Sequence, residues 1–389
     1  VHTYFMQPYT IPTSSLEKTL YVGDFLFVSK FHYGARVPMT GIAAPMVHDT
    51  LPYLGKSYVS NSKDQDSWIN KLSLPYMRLP GIQQIKRNDI VVFSWPADST
   101  NSMYNDNSGK FTYKPIDKRT NYVKRCVGIP GDSLEVRDGY VYIDGKKNVL
   151  PERAKLQFSY YVQSKGRSFS KQYLHDRYDI TDEIYAQGNN TYIFYGMTEK
   201  TAEDLKNHPN VAAVQKIALE KGLRTDVFPQ SENYQWNNYQ YGPIEIPYAG
   251  KTVQLSMENI PIYKRAISEY EGKNLTVEDN QVKIDGKVIT SYTFEQDYYW
   301  MMGDNRGNSQ DSRSWGFVPF DHVLGKPVFV WMSWDTKAKG LFSKIRWNRL
   351  FTTVSGDGEP TSYFRYFLIL LAGWFVFNYF RKKKKATKS

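Results

Sequence analysis

The chain of 389 residues is long enough to bury a substantial core, in two domains or in one domain with a large insertion. Its single cysteine, Cys126, excludes an intramolecular disulfide and a cysteine-based metal cluster, and it leaves the redox compartment open. The net charge of +11 does not indicate a nucleic-acid partner, because six of the basic residues crowd into the tail at residues 381–389.

Aromatic residues make up 16% of the chain, and strand-favouring Val, Ile, Thr, Phe and Tyr are spread through most of it. We therefore expect a mainly β protein built on antiparallel sheets. Shifts in composition predict five parts: a core beginning with residues 1–150, an inserted α+β domain at 151–295, the rest of the core at 296–355, an apolar segment at 363–380 and a basic tail at 381–389.

The first predicted elements are a turn led by proline and a strand. Ile11 and Pro12 precede Thr13-Ser14-Ser15, and residues 20–28 are nearly continuous apolar material. Ser15 in such a turn is a candidate nucleophile, although a helix N-cap or a surface turn explains the same residues. Residues 39–85 are rich in Pro, Ser and Asn and are predicted to form loops.

A buried strand at residues 89–93 is followed by the candidate base, Lys124. Its neighbours at 122–123 and 127–129 are mostly apolar. A lysine buried there has a lowered pKa, because loss of water penalises the ammonium form. A neutral amine near pH 7 can accept the proton of Ser15, whereas a solvated surface lysine cannot, and both readings remain open.

Two similar segments flank most of the insertion. Residues 134–146 and 275–287 each predict two short alternating strands with turns at Asp-Gly or Asp-Asn. A local duplication and the recurrence of common hairpin chemistry explain them equally well. Between them, residues 198–205 predict a helical stretch with Thr or Asp as its cap.

The densest polar segment covers residues 303–313, with the sequence Gly-Asp-Asn-Arg-Gly-Asn-Ser-Gln-Asp-Ser-Arg. Burying it is costly unless every group is paired, so we expect a hydrogen-bonded loop with an ion pair between Asp311 and Arg313. Ser309 is then free to bond an amine. A calcium loop is not predicted, because the spacing misses the EF-hand pattern and its terminal glutamate. No metal site is expected.

Both ends of the chain point to a membrane. An apolar run at residues 366–380 is followed by basic residues, which is typical of a membrane segment with a cytoplasmic flank. We expect a transmembrane segment over residues 363–380, in which Arg365 snorkels to the headgroups; the alternative is a buried helix. Because the chain begins at Val1 without methionine, we expect that an upstream segment has been removed, with a membrane anchor as the natural candidate.

Four segments, taken in order, resemble bacterial type I signal peptidases, the membrane-bound serine/lysine endopeptidases that remove signal peptides from exported proteins. Residues 15–20 resemble the family's Ser-Met-x-Pro-Thr-Leu, and residues 89–93 resemble its Gly-Asp-Ile-Val-Val-Phe strand. Residues 124–132 match the segment that carries the base. Residues 303–313 fit Gly-Asp-Asn-Arg-x-x-Ser-x-Asp-Ser-Arg without a miss.

Three positions depart from the family pattern. Leu16 stands for Met, which conserves volume, and Asn88 stands for Gly before the strand. Lys18 stands for Pro, which puts the rigidity of the turn in doubt without touching the chemistry. The resemblance covers about residues 8–38, 86–146 and 297–335.

The resemblance implies an antiparallel-sheet serine/lysine protease core with no cofactor. Ser15 is implied as nucleophile and Lys124 as general base, with the Thr13 hydroxyl and the Ser15 N–H as the oxyanion hole. Ser309 would orient the Lys124 amine. Loop support is implied for Asp304, Arg306, Asp311 and Arg313, and the walls of the pockets for small P1 and P3 residues for Ile11, Pro12 and Val123.

The implied substrates are preproteins that carry signal peptides, and the implied location is the bacterial inner membrane with the catalytic domain on the extracytoplasmic side. Trp331, Trp334, Phe342 and residues 345–351 suit headgroup contact, although these aromatics equally suit a core. Two other functions stay open: a self-cleaving protease of the repressor type, and a noncatalytic membrane-attached receptor with a degenerate protease core. The oligomeric state is left open.

Overall fold

A computed structural model describes residues 4–40, 50–51, 55–56, 74–98, 114–338, 340, 342–356 and 358–386. Much of the loop predicted at residues 39–85 and the last three residues of the basic tail lie outside these ranges.

Within the described residues, regular structure is mainly strand. The strands are β1 (Met6–Thr10), β2 (Asp24–Ser29), β3 (Thr50–Leu51), β4 (Gly55–Lys56), β5 (Ile90–Ser94), β6 (Asn121–Gly128), β7 (Ser133–Arg137), β8 (Tyr140–Ile143), β9 (Lys146–Lys147), β10 (Phe158–Ser164), β11 (Ile184–Gly188), β12 (Thr191–Met197), β13 (Val211–Lys216), β14 (Tyr241–Glu245), β15 (Thr252–Gln254), β16 (Leu275–Glu278), β17 (Gln281–Ile284), β18 (Lys287–Val288), β19 (Ser291–Thr293), β20 (Tyr298–Met302), β21 (Val318–Pro319), β22 (Val323–Ser333) and β23 (Thr352–Thr353). The helices are α1 (Lys171–Tyr178), α2 (Glu199–Lys206), α3 (Ile260–Arg265), α4 (Ser312–Trp315) and α5 (Phe364–Ala386).

The central sheet has the order β1-β2-β22-β5-β6-β20-β21, with β23 beside β22. Its pairings are antiparallel. The long strand β22 pairs with β2 through residues 326–333 and with β5 through Val323 and Gly325, so it joins the two halves of the sheet. The expected mainly β fold with antiparallel sheets is confirmed.

Strand β5 explains how the sheet is anchored. All five of its residues are buried. Ile90 and Val92 belong to one apolar cluster, and Val91 and Phe93 belong to another. Because side chains alternate along a strand, β5 is covered on both faces, which is why its sequence is apolar without alternation. The strand predicted at residues 89–93 is confirmed.

Both predicted hairpins are present as β7-β8-β9 and β16-β17-β18. Their tight turns have positive φ at both central residues, Asp138 (52°) and Gly139 (81°) in the first and Asp279 (50°) and Asn280 (61°) in the second. Turns of this kind match the twist of paired strands, and Asp, Asn and Gly tolerate them best.

Within the predicted insertion, residues 158–216 form an α+β unit. Its sheet has the order β11-β12-β10-β13, and α1 and α2 contribute Leu174 and Leu205 to the same core. Helix α2 begins after Thr198, whose hydroxyl accepts from the N–H of Thr201 at 3.0 Å, as predicted. Residues after 240 do not belong to this unit. They pack with the core instead, because β14 pairs with β7 and Phe294 lies in the same apolar cluster as Trp300.

Most side chains of α5 between residues 365 and 381 are exposed, and its first turn packs Phe364 and Phe367 against Phe351. In the described part of the chain, no helix combines the length and the apolarity needed to cross a bilayer. The transmembrane segment predicted at residues 363–380 is therefore not supported. The apolar run between Arg365 and Arg381 extends only ~22 Å at the helical rise, against ~30 Å of hydrocarbon.

Candidate active site

The candidate nucleophile lies in a short loop between β1 and β2. After Thr13, the chain makes a single 3-10 turn over Ser14–Leu16 and buries Ser15, which is 6% exposed. Leu16 and Leu20 are each 1% exposed and pack with Ile90 and Val92 of β5. These apolar contacts fix the turn on the sheet, while Ser15 lines a cleft.

Lys124 lies on β6, opposite Val91 of β5. It is only 5% exposed, and its amine is hydrogen-bonded to the hydroxyl of Ser15. Burial lowers the pKa of Lys124 from 10.5 to about 8, while the charge of Asp311 raises the pKa and the charge of Arg313 lowers it. With this pKa, about a tenth of the amine is neutral at pH 7, far more than for a solvated lysine.

A low pKa alone does not single out Lys124. Lys30, at the end of β2, also has its pKa lowered to about 8, by burial and by the nearby charge of Arg36. Lys124 differs because its amine contacts a buried serine hydroxyl. Proximity therefore selects the candidate base, and desolvation makes it competent.

The polar loop at residues 303–313 lies beneath these two residues. Asp304 is fully buried and accepts two hydrogen bonds from the guanidinium of Arg125, at 2.7 and 2.6 Å. It also accepts from the hydroxyl of Thr19 at 2.7 Å. Burial alone would raise the pKa of Asp304, but Arg125 outweighs it and the pKa is lowered. Asp304 therefore ties the strand of the base to the loop of the nucleophile.

The expected ion pair between Asp311 and Arg313 is present and bidentate, with both N–O distances 2.8 Å. Asp311 also accepts from the N–H of Gly303 at 3.0 Å, and Arg313 donates to the carbonyl of Asn238 at 2.8 Å. Burial alone would raise the pKa of Asp311, but the charge of Arg313 and its hydrogen bonds lower it. The carboxylate is thus already neutralised by Arg313 and cannot strongly hold the proton of Lys124.

Two other residues with a predicted supporting role, Arg306 and Ser309, each have a buried polar atom without a hydrogen-bond partner among the described residues. Arg306 is buried and donates to the sulfur of Met302 at 3.5 Å, but its Nε has no partner among the described residues, and burial lowers its pKa to about 10. The Ser309 hydroxyl is also buried, with no hydrogen-bond partner in the described part of the chain. A Cβ at Gly303 would lie 2.2 Å from that hydroxyl and 2.5 Å from the Ser15 carbonyl oxygen. Only glycine therefore fits at this position without a shift of the neighbouring atoms.

The structure brings the remaining predicted residues to one cleft of about 530 Å³. Its lining includes Ile11, Pro12, Thr13 and Val123 together with the dyad. Ile11 is buried, whereas Pro12 and Thr13 are exposed, and the Thr13 side chain makes no capping hydrogen bond. The insertion also reaches this cleft, through residues 181–183.

Several residues of the site carried no predicted role. Arg125 and Asn305 lie inside the motifs that resemble the family, so the sequence provided a reason to consider them, although it did not indicate which residues they contact. Gln157 is fully buried, and its amide donates to the carbonyl of Glu17 at 2.5 Å. Gln157 and Asp182 lie in the insertion, where no local pattern in the sequence distinguishes them from surface polar residues.

Lys18 adopts a left-handed backbone conformation, with φ of 70°. Proline is fixed near −65°, so the loop takes a path here that the family's proline would not allow. The Lys18 amine forms an ion pair with Asp179 at 2.6 Å and also donates to the carbonyl of that residue. Asp179 is the C-cap of α1, so Lys18 links the nucleophile loop to the insertion.

Comparison with known proteins agrees with this geometry. The family described as "Signal peptidase, peptidase S26" matches residues 1–207 and 244–334. Signal peptidase I of Buchnera aphidicola subsp. Acyrthosiphon pisum is 24% identical over 357 residues, 90% of this chain and 76% of that protein. Signal peptidase I of Helicobacter pylori is 23% identical over 363 residues, 91% and 87% of the two chains. That of Aquifex aeolicus is 22% identical over 337 residues, 86% and 78%.

Because the family match covers well over half of its length, the chain belongs to the signal peptidase family, peptidase S26. It is a serine endopeptidase, and the resemblance to bacterial signal peptidase I is confirmed.

The positive φ at Lys18 gives a stability prediction. Lys18→Pro should lower the thermal midpoint by several degrees, because a strained or refolded turn costs about 1–3 kcal/mol. Lys18→Gly is the matched control, since glycine accepts this φ and the lost ion pair is worth only ~0–1 kcal/mol. Thermal unfolding followed by circular dichroism measures both. Equal midpoints for the two variants would contradict the assigned backbone.

Proposed function

We propose that the protein removes N-terminal signal peptides from exported preproteins, with Ser15 as nucleophile and Lys124 as general base. The observation that carries the assignment is the hydrogen bond between these two buried side chains, in a cleft and with the lysine pKa lowered to about 8. A serine and a neutral lysine are sufficient for acyl transfer, so the proposal calls on no metal or cofactor.

The chemistry follows from these positions. Neutral Lys124 accepts the hydroxyl proton as Ser15 Oγ bonds to the scissile carbonyl carbon, and the carbonyl oxygen becomes an oxyanion. The Ser15 N–H and the Thr13 hydroxyl stabilise that charge. The C–N bond then breaks while the Lys124 ammonium returns its proton to the leaving amine.

The second half of the reaction repeats these roles with water. Neutral Lys124 takes a proton from water as the water oxygen attacks the ester carbon of the acyl-Ser15 intermediate. Collapse of the second oxyanion breaks the bond to Ser15 Oγ, and Lys124 returns the proton to that oxygen. The signal peptide leaves with a new carboxyl terminus, and the enzyme regains its starting state.

The other predicted residues take supporting roles. The Ser309 hydroxyl is buried beside Gly303 and has no hydrogen-bond partner among the residues that the structure describes, which supports its assignment as the group that orients the Lys124 amine. Asp304, Arg306, Asp311 and Arg313 hold the loop. Ile11, Pro12 and Val123 wall the pockets that select small residues at P1 and P3, as their place in the cleft lining supports.

We further propose that the enzyme works at the bacterial inner membrane, with its catalytic domain on the extracytoplasmic side and residues 363–380 entering the bilayer. Exposed apolar side chains support this, since Phe342 is 76% exposed, Trp347 is 49% exposed, and helix α5 presents Leu370 and Phe377 to solvent. The division into a core at 1–150 and 296–355 and an insertion at 151–295 also remains part of the proposal.

Preprotein cleavage tests the dyad. Ser15→Ala and Lys124→Ala should each reduce kcat/KM on a preprotein with Ala at P1 and P3 by at least ~10³-fold, because each member of the dyad is needed for the other to act. Lys30→Met is the matched control, since it removes a buried lysine with the same pKa that does not contact Ser15. Undiminished cleavage by either dyad variant would refute the catalytic assignment.

The pKa of Lys124 predicts the acid limb of the pH profile. Protonation of the amine removes the base, so kcat/KM should fall about tenfold for each pH unit below 8 and level off above it. Initial rates on a fluorogenic peptide between pH 6 and 9.5 give this limb. A profile that is flat over this range, or that still rises steeply above pH 9, would contradict a base with a pKa near 8.

The membrane proposal predicts vesicle binding through the C-terminal segment. The full chain should float with vesicles of phosphatidylethanolamine and phosphatidylglycerol, and a chain ending at Ser362 should lose at least ~90% of that binding. A chain ending at Phe380 keeps the apolar run without the basic tail and should still float at 0.5 M salt. Equal flotation of the Ser362-ended and full chains would place the membrane contact elsewhere.

A further inference from the structure

One residue of the polar loop, Asn305, binds two successive backbone carbonyls of the turn that carries the nucleophile, one through its side chain and one through its backbone. Asn305 is fully buried, and its Nδ2 donates to the carbonyl of Ser14 at 3.3 Å. Its backbone N–H donates to the carbonyl of Ser15 at 3.0 Å. Asn305 therefore contacts two successive peptide groups of the turn that carries Ser15.

The insertion supplies the group that orients this amide. Asp182 accepts from Asn305 Nδ2 at 2.6 Å, the shorter of the two bonds that this nitrogen makes. The same carboxylate oxygen accepts from Asn308 Nδ2 at 3.2 Å, and Asn308 Nδ2 also lies 3.4 Å from the Ser14 hydroxyl. One carboxylate from outside the core thus fixes two amides that both point at Ser14.

The backbone around Asp182 is shaped for this contact. Gly196 of β12 lies behind the carboxylate, and a Cβ there would be 2.4 Å from Asp182 Oδ2 and 3.0 Å from Asn305 Nδ2. Because real Cβ atoms do not approach so closely, any larger residue at position 196 would displace Asp182 or Asn305. Gly196 thus makes the approach of the insertion to the loop possible.

Because the peptide bond is planar, the hydrogen bond from Asn305 to the Ser14 carbonyl also affects the Ser15 N–H. The carbonyl of Ser14 and the N–H of Ser15 belong to one planar group and point in opposite directions. A bond that fixes the direction of the Ser14 carbonyl therefore also fixes the direction of the Ser15 N–H. That N–H is the backbone donor of the oxyanion hole in the function proposed above.

We propose that Asp182 is a positioning residue that aims the Ser15 N–H at the developing oxyanion, acting through Asn305 and the Ser14 carbonyl. This inference rests on the proposed function of Ser15 and Lys124. It assigns the α+β insertion a role in transition-state stabilisation of signal-peptide cleavage.

Kinetics on the full chain tests the proposal. Asp182→Ala should lower kcat about tenfold with KM changed less than twofold, because an oxyanion donor acts in the transition state and hardly in the ground state. The loss should be smaller than the 10²–10³-fold cost of removing a whole donor. Asp182→Asn keeps an acceptor oxygen and should recover most of the rate. Glu203→Gln, which removes an exposed carboxylate from α2, is the control and should leave kcat unchanged.

A second variant reaches the same contact from the other side. Gly196→Ala keeps Asp182 but displaces it, and it should lower kcat in the same way. A peptide aldehyde, which forms a tetrahedral adduct with Ser15, should lose affinity for both variants by the same factor as kcat. A noncovalent peptide of the same sequence should bind them as it binds the wild type. The acid limb of the pH profile should not move, because the charges that act on Lys124 are Asp311, Arg313 and Asp304.

The possible outcomes separate two failures. If Ser15→Ala is inactive while Asp182→Ala and Gly196→Ala keep full kcat, the positioning role is wrong and the dyad stands. A rise in KM alone, or equal loss of affinity for aldehyde and noncovalent peptide, would also overturn it by making Asp182 a ground-state binding residue. If Ser15→Ala remains active, the proposed function itself fails.

Discussion

The site depends on the removal of the Lys124 amine from water at the point where it meets Ser15. Water stabilises an ammonium ion strongly, so burial shifts the amine toward its neutral form and lowers its pKa to about 8. A carboxylate without a partner at this position would restore the proton and disable the base. The bidentate pairing of Asp311 with Arg313 prevents this while keeping the carboxylate available to anchor Gly303.

The buried ion pairs are better understood as positioning devices than as sources of stability. Moving two charges out of water costs several kcal/mol per ion, and their attraction recovers this only when the geometry is good. Here the pair of Arg125 and Asp304 joins the strand of the base to Thr19, which follows the nucleophile turn. Replacing such a pair with apolar residues could preserve the fold, but it would release the spacing between Ser15 and Lys124.

Local sequence predicts the parts of this protein whose structure is decided locally. The apolar, β-branched run at residues 90–93 predicts a buried strand, and Asp-Gly and Asp-Asn turns predict the two hairpins. The site motifs identify Ser15, Lys124 and the loop at 303–313 through their resemblance to a known family. The bidentate partner of Asp304 and the contacts of Gln157 and Asp182 could not be predicted, because they join residues far apart in the chain.

Two predictions show where pattern reasoning reaches its limit. The apolar run before Arg381 predicted a transmembrane helix, yet no helix in the described part of the chain is both long enough and apolar enough to cross a membrane. From the sequence, Lys18 predicted a less rigid turn, because it replaces the proline of the family pattern and no tertiary contact of Lys18 can be read from the sequence. In the fold, the residue has a left-handed backbone and forms an ion pair with Asp179, so rigidity comes from a tertiary contact.

The pKa of the Lys124 amine is the most direct test of the central claim. It can be measured by NMR titration of the full chain carrying lysine labelled with ¹³C at Cε. We predict one resonance that titrates near pH 8 and disappears in Lys124→Ala, distinct from the resonance that disappears in Lys30→Met. A Lys124 resonance that titrates near 10.5, the value of a solvated lysine, would contradict the account, because fewer than about one amine in a thousand would then be neutral at pH 7.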